Sequence, residues 1–197
     1  MSDTFATDTH TSSVPARHDS ATQYSQWSRI LHWGGAVAVL GLLGLGLFFE
    51  DMPRGDTKFY WMNLHIALGV LVAPALLFRV IWRLRQHGSP APLNPPGLAR
   101  TLTHTVHMAL LGAITALVVS GPLAVWSGGR AIELFGLVAL PSPMGRLEGL
   151  HKAMEGVHEV AVSVLLAALA LHVLGALLHG VTQPGHLRGR MFGSRPR

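Results

Sequence analysis

The chain has 197 residues, of which 49% are hydrophobic and 13% are charged, and its formal net charge is +5. The charged fraction is about half of that in a typical soluble domain, which argues for a membrane-embedded chain rather than for one or two soluble domains. The sequence contains no cysteine, which excludes disulfides, thiolate-bound iron–sulfur clusters and covalently attached c-type haem. Its basic residues flank apolar segments, a distribution typical of membrane orientation rather than of nucleic-acid binding.

Four apolar stretches are long enough to cross a bilayer, and they predict transmembrane helices over about 30–49, 61–82, 104–126 and 157–179. Together they predict one four-helix domain over 25–193. The polar stretch 1–24 lacks the apolar core of a signal peptide and is expected to be a disordered tail. The stretch 131–140 (AIELFGLVAL) is too short to cross, so we expect it at the interface or against the bundle.

The distribution of basic residues predicts the orientation of these helices. The connection between the second and third spans carries Arg83, Arg85 and Arg100 without an acid, and the tail 184–197 carries four arginines without an acid. The other two connections mix both signs of charge. The positive-inside rule therefore places both termini in the cytoplasm. The predicted fold class is an all-α membrane protein, a bundle of four transmembrane helices.

Four histidines within these spans fall at two depths. His158 and His172 are 14 residues apart, which places both on nearly one face of the fourth helix, about 21 Å apart along its axis. In the predicted orientation, His65 lies level with His158 near the outer surface (the outer pair), and His32 lies level with His172 near the inner surface (the inner pair). A planar haem held by one imidazole on each face needs such a pair, so the sequence predicts two haem sites.

Arg79 is a further candidate for haem binding. It follows His65 by 14 residues, so it projects from nearly the same face of the second helix, at the level of the inner pair. An arginine at this depth is costly unless it has an anionic partner, and a haem propionate would serve.

Other histidines leave alternatives open. His151 and His179 each lie seven residues from a predicted ligand of the fourth helix, on the same face, so they remain alternatives to His158 and His172. We expect His151 in the outer connection and His179 at the inner interface. Two histidines three residues apart begin the third span and are expected to be interfacial, with quinone binding or proton transfer as the alternative role: His104 and His107.

Several short motifs occur in a recognisable order: RILHW at 29–33, LHIALG at 64–69, LTHTVH at 102–107, and HE at 158–159 followed by His172. In order, spacing and topology, residues 24–193 resemble the bacterial di-haem cytochrome b561 family, in particular its short four-helix members that oxidise superoxide. The resemblance implies a bundle in the bacterial inner membrane with two b-type haems and access to ubiquinone. The family's four haem ligands match His32, His65, His158 and His172. A histidine pair common near the end of the family's fourth helix is His179-Gly180 here.

The resemblance favours one function over two others. The leading hypothesis is that periplasmic superoxide donates electrons that pass through the two haems to ubiquinone, giving O₂ and ubiquinol. An anionic substrate favours a positively charged entrance, here called the mouth, at the periplasmic end of the bundle. The alternative is a subunit that carries electrons between the quinone pool and a periplasmic redox protein, and a third is a haem-binding sensor or structural subunit without turnover. The candidate mouth residues are Arg54, Lys58, Arg130, Arg146 and Lys152.

Overall fold

The computed structural model of the chain describes residues 24–86 and 96–182. The predicted tails 1–24 and 184–197 lie outside the described residues, apart from Tyr24. Each predicted span lies within one helix, and all four helices are long and apolar enough to cross a bilayer, which confirms the predicted four-helix membrane class. The elements are α1 (Gln26–Glu50), α2 (Asp56–Arg85), α3 (Leu98–Ser127), β1 (Ile132–Leu134), β2 (Val138–Leu140) and α4 (Glu148–Thr182).

The start of α1 and the turn into α2 are fixed by local hydrogen bonds. The Ser25 side chain accepts a hydrogen bond from the Ser28 amide at 3.1 Å, which satisfies one of the free N–H groups at the start of α1. Lys58 donates to the backbone carbonyls of Glu50 at 2.7 Å and Met52 at 3.1 Å, where a cation is favourable at a helix C-terminus. These contacts hold α1 and α2 as a tight antiparallel pair.

The apolar stretch between α3 and α4 forms a short β-hairpin, which the sequence did not predict. Its strands are antiparallel, with Ile132 opposite Leu140. At the turn, Phe135 has φ 54° and Gly136 has φ 71°, two consecutive residues in the left-handed region, as tight hairpin turns require. Ile132 is 1% exposed, and β1 packs against α2 and α3. The hairpin therefore closes over one end of the bundle, in agreement with the expectation that this segment lies against it.

Helix α4 begins earlier than the predicted span, so His151 lies in the first turns of this helix rather than in a loop. Glu148, the first residue of α4, pairs with Arg146 at 3.0 Å and with Lys152 at 3.5 Å. His151 lies 3.4 Å from Glu155, one turn farther along. The two i,i+4 pairs, Glu148–Lys152 and His151–Glu155, stabilise helical turns that precede the apolar span, so α4 has polar turns before its membrane-spanning part.

The helices pack unequally, and this leaves space beside α4. Helix α3 packs along α4, α1 packs along α2, and α2 joins the two pairs by packing on α3. Within the described residues, α4 is not in extensive backbone contact with α1 or α2. The buried side chains of the central cluster come from the other three interfaces: Leu76, Val80, Leu111, Ala113, Ile114 and Leu165.

Candidate haem sites

The outer pair lies across the space between α2 and α4. The imidazole ring centres of His65 and His158 are 6.5 Å apart, with an angle of 79° between the ring planes. Both rings line an apolar cavity of about 380 Å³ to which all four helices contribute. The backbones of Gly46 and Gly121 come close to the two rings, because a Cβ at either glycine would lie 3.5 Å from the Cε1 atom of the facing imidazole.

The inner pair lies across the space between α1 and α4. The ring centres of His32 and His172 are 6.2 Å apart, at an interplanar angle of 60°. Arg79 Nη2 is 3.2 Å from His32 Nδ1, and a guanidinium can only donate, so this bond places the His32 proton on Nε2. Iron binding through Nε2 needs the other tautomer. With a haem bound there, Arg79 must turn to a different acceptor, for which the haem carboxylates are suited.

Both separations fit a haem held between two imidazoles. An imidazole nitrogen binds a metal at about 2 Å and the ring centre lies about 1 Å farther, so two imidazoles on opposite sides of one metal have centres about 6 Å apart. The two pairs, at 6.5 Å and 6.2 Å, match this separation. The ring of His107 is 5.2 Å from that of His172, which is too close. Among the described residues, no group of three or more His, Asp or Glu side chains is arranged to hold a bare metal ion.

Comparison with known proteins agrees with this geometry. The family model of the prokaryotic cytochrome b561 matches residues 23–194. The chain belongs to this family. It is thus a bacterial membrane protein of electron transfer, and membership of the family implies b-type haem.

Two curated relatives of this cytochrome differ in how much of the chain they share. The chain is 25% identical to "Cytochrome b561 homolog 2" of Escherichia coli (strain K12) over 173 residues, which are 87% of this chain and 92% of the relative. It is 23% identical to "Probable superoxide oxidase CybB" of Yersinia pestis over 120 residues, 60% of this chain and 68% of the relative.

The two alternative ligands of α4 lie apart from the facing imidazoles. His151 Nδ1 donates to the Ala124 carbonyl at 2.8 Å, and its Nε2 lies beside Glu155 at 3.4 Å. Its two ring nitrogens therefore have polar partners already. His179 lies seven residues beyond His172, and the ring that packs near His32 is that of His172.

The two histidines at the start of α3 have different surroundings. His104 is exposed, as expected of an interfacial residue. His107 is half-buried and its ring packs edge-on against His172, at an interplanar angle of 68°. It therefore belongs to the inner site rather than to the interface alone, a contact that the sequence analysis did not foresee.

Four of the five candidate mouth cations of this cytochrome have local partners. Arg146 and Lys152 pair with Glu148, and Lys58 caps α1 as described above. Arg130 donates to Asn63 at 3.1 Å and lies over the Phe59 ring at 5.3 Å. The two connections also contain six carboxylates, which offset the five cations: Glu50, Asp51, Asp56, Glu133, Glu148 and Glu155.

The site also includes a residue that sequence reasoning missed. Ser120 Oγ is 3.0 Å from His158 Nδ1, and Ser120 is only 1% exposed. A weak signal existed: Ser120 and His107 are 13 residues apart on α3, close to the spacing of 14 between the two candidate ligands of α4. These similar spacings suggest that α3 contacts α4 at the levels of both ligands. A single serine in an apolar helix, however, gave no reason to expect a contact with His158.

Proposed function

We propose that this cytochrome oxidises superoxide at the periplasmic side of the bacterial inner membrane and reduces ubiquinone to ubiquinol, using two b-type haems. The observation that carries the proposal is the presence of two imidazole pairs, with ring centres 6.5 Å apart in one pair and 6.2 Å apart in the other. Helix α4 provides one imidazole of each pair, at two levels along its axis. When bound, each haem supplies a one-electron redox centre. In the overall reaction, two superoxide anions lose one electron each, and ubiquinone takes up two electrons and two protons, giving two O₂ and one ubiquinol.

The chain's own residues have three tasks in this proposal. His65 and His158 hold the outer haem, and His32 and His172 hold the inner one. Arg79 pairs with the carboxylates of the inner haem, because an unpaired guanidinium would be costly at this depth. The apolar walls around the outer pair exclude water, so that charge at the site is controlled by a few fixed groups.

Superoxide as the donor is supported by similarity to the probable superoxide oxidase of Yersinia pestis, at 23% identity. The test is stopped-flow spectroscopy of the purified, haem-loaded full chain. We expect superoxide to reduce the haems faster than it reduces free haem, and ubiquinone to reoxidise them. Reduction no faster than that of free haem, or reduced haems that ubiquinone leaves unchanged, would contradict the proposal.

A second candidate donor is a periplasmic redox protein, and one observation favours it. Because the cations of the outer connections are paired or offset by carboxylates, this end of the molecule offers little attraction to a small anion. We therefore expect the superoxide rate to change little with ionic strength, whereas a positively steered anion would react more slowly in salt. A redox protein that co-purifies with the cytochrome and reduces its haems, where superoxide does not, would favour the second candidate.

The orientation belongs to the same proposal. With both termini in the cytoplasm, the outer pair faces the periplasm. Fusion of alkaline phosphatase to the C-terminus should give an inactive reporter, and fusion in the connection between α1 and α2 an active one. The reverse result would exchange the outer and inner pairs.

A further inference from the structure

Helix α3 carries none of the four candidate ligands, yet it contacts both ligands of α4. At the inner level His107 packs on His172, and at the outer level Ser120 Oγ lies 3.0 Å from His158 Nδ1. Ser120 is almost completely buried, at 1% exposure. A buried hydroxyl is costly without a hydrogen-bond partner, so this contact is a specific feature of the α3–α4 interface.

The chemistry of a ligating histidine fixes the direction of this hydrogen bond. When Nε2 binds a metal, the proton of the neutral imidazole is on Nδ1, so Nδ1 donates and Ser120 Oγ accepts. Serine and threonine hydroxyls in helices can donate their own proton to a backbone carbonyl one turn earlier. Thr115 and Ser127 of the same helix donate to such carbonyls, those of Leu111 and Leu123.

The facing ligand, His65, interacts with the Leu42 backbone but has no hydroxyl at its Nδ1 among the described residues. In the part of the chain that the structure describes, the buried His65 Nδ1 has no hydrogen-bond partner of normal geometry. The outer site therefore has one imidazole whose orientation is fixed by a hydroxyl and one whose Nδ1 is not fixed in this way. A hydrogen bond to the far nitrogen of a ligand orients its ring and makes it a stronger donor to the metal.

We propose that Ser120 is a positioning residue of the outer haem, which holds the His158 ring in the binding tautomer and stabilises the oxidised iron. The proposal rests on the ligand assignment in the proposed function. Stronger donation by His158 favours ferric over ferrous iron, so loss of the hydroxyl should make the outer haem easier to reduce. The inner haem should not respond.

The test compares Ser120→Ala with Ser127→Ala in the full-length, haem-loaded protein. Ser127 is the matched control because it is a fully buried serine of the same helix whose hydroxyl contacts backbone carbonyls and not an imidazole. The measurements are redox titration and EPR spectroscopy, with His158→Ala to identify the signal of the outer haem. We expect Ser120→Ala to shift the reduction equilibrium of the outer haem three- to tenfold toward the ferrous form, where tenfold is about 59 mV for one electron.

Each outcome bears on the proposal. Equal midpoint potentials and EPR spectra for the two serine variants would overturn the role of Ser120. Loss of one haem in His158→Ala would show, in the same experiment, that the ligand assignment still holds. Two haems retained by His158→Ala would instead refute the assignment itself. If Ser120→Ala lost the outer haem alone while Ser127→Ala kept it, the positioning role would be supported. If Ser120→Ala failed to assemble, Ser120→Cys decides, because a thiol fills the site but accepts hydrogen bonds weakly; it should shift the midpoint in the same direction, and an unchanged midpoint would overturn the proposal.

Discussion

The outer and inner pairs have nearly the same separation but different surroundings. The outer imidazoles lie against glycine backbones and a serine hydroxyl, all uncharged. The inner imidazoles lie beside the Arg79 guanidinium and a third imidazole, that of His107. A fixed positive charge favours the form of a redox centre that holds the extra electron. Under the proposed two-haem assignment, this difference predicts a higher midpoint potential for the inner haem, which would favour electron transfer from the outer to the inner haem.

Removing a ligand is the strongest way to break this comparison. We expect His65→Ala or His158→Ala to reduce the haem content from two per chain to one, with the inner haem retained. His32→Ala and His172→Ala should do the reverse, because each haem needs both of its imidazoles. Pyridine haemochrome analysis and EPR spectroscopy measure the result. The exposed His104 provides a control, and any of the four variants that retained both haems would disprove the pairing.

Replacing Arg79 should affect one member of the comparison only. In Arg79→Leu we expect a midpoint of the inner haem lowered by about 59 mV or more, equivalent to at least a tenfold change in its reduction equilibrium, with the outer midpoint unchanged. Arg79→Lys keeps the charge, so it should lower the midpoint potential of the inner haem less than Arg79→Leu does. Arg83→Leu is the control, because Arg83 is an exposed cation one turn farther along α2. Equal shifts in both haems would show that Arg79 does not act locally.

A smaller effect should follow from a change that leaves every charge in place. A Cβ at Gly35 would lie 2.6 Å from Arg79 Cδ, so Gly35→Ala must displace the arginine side chain. We expect the inner midpoint to move in the same direction as in Arg79→Leu, but by less. In the neighbouring Gly34→Ala, the new Cβ meets no heavy atom of another segment within 4 Å among the described residues, and the potential should stay unchanged. Redox titration of the two alanine variants decides whether the position of Arg79 matters.

The smallest effects should come from the two alternative ligands. We expect His151→Gln and His179→Gln to retain both haems, because the rings that face His65 and His32 are those of His158 and His172. Glutamine can still donate to the Ala124 carbonyl that His151 contacts. Absorption spectra of the purified variants are sufficient. A haem missing from either variant would make that histidine a ligand and change the comparison itself.

Some of this organisation could be predicted from sequence because it depends on one helix at a time. Apolar length indicates each span, and the 14-residue spacing places His158 and His172 on one face regardless of what packs against it. The contacts of Ser120 and His107 depend on how α3 is rotated against α4, which the periodicity of a nearly uniformly apolar helix does not define. The hairpin turn at Phe135 and Gly136 was missed because a ten-residue apolar stretch does not distinguish a strand from an interfacial helix.

The unequal packing of the helices also bears on how the protein is made. The four helices form two antiparallel helical hairpins, the first from α1 and α2 and the second from α3 and α4, and α2 packs on α3 to join them. Each helical hairpin can therefore enter the bilayer as it leaves the ribosome. The remaining seam, between α4 and the first hairpin, is where the facing imidazoles lie. We therefore expect loading of the proposed haems to bring the two sides of this seam together. A chain made without haem should be open along this seam, and cysteines introduced across it should cross-link less tightly than in the mature protein.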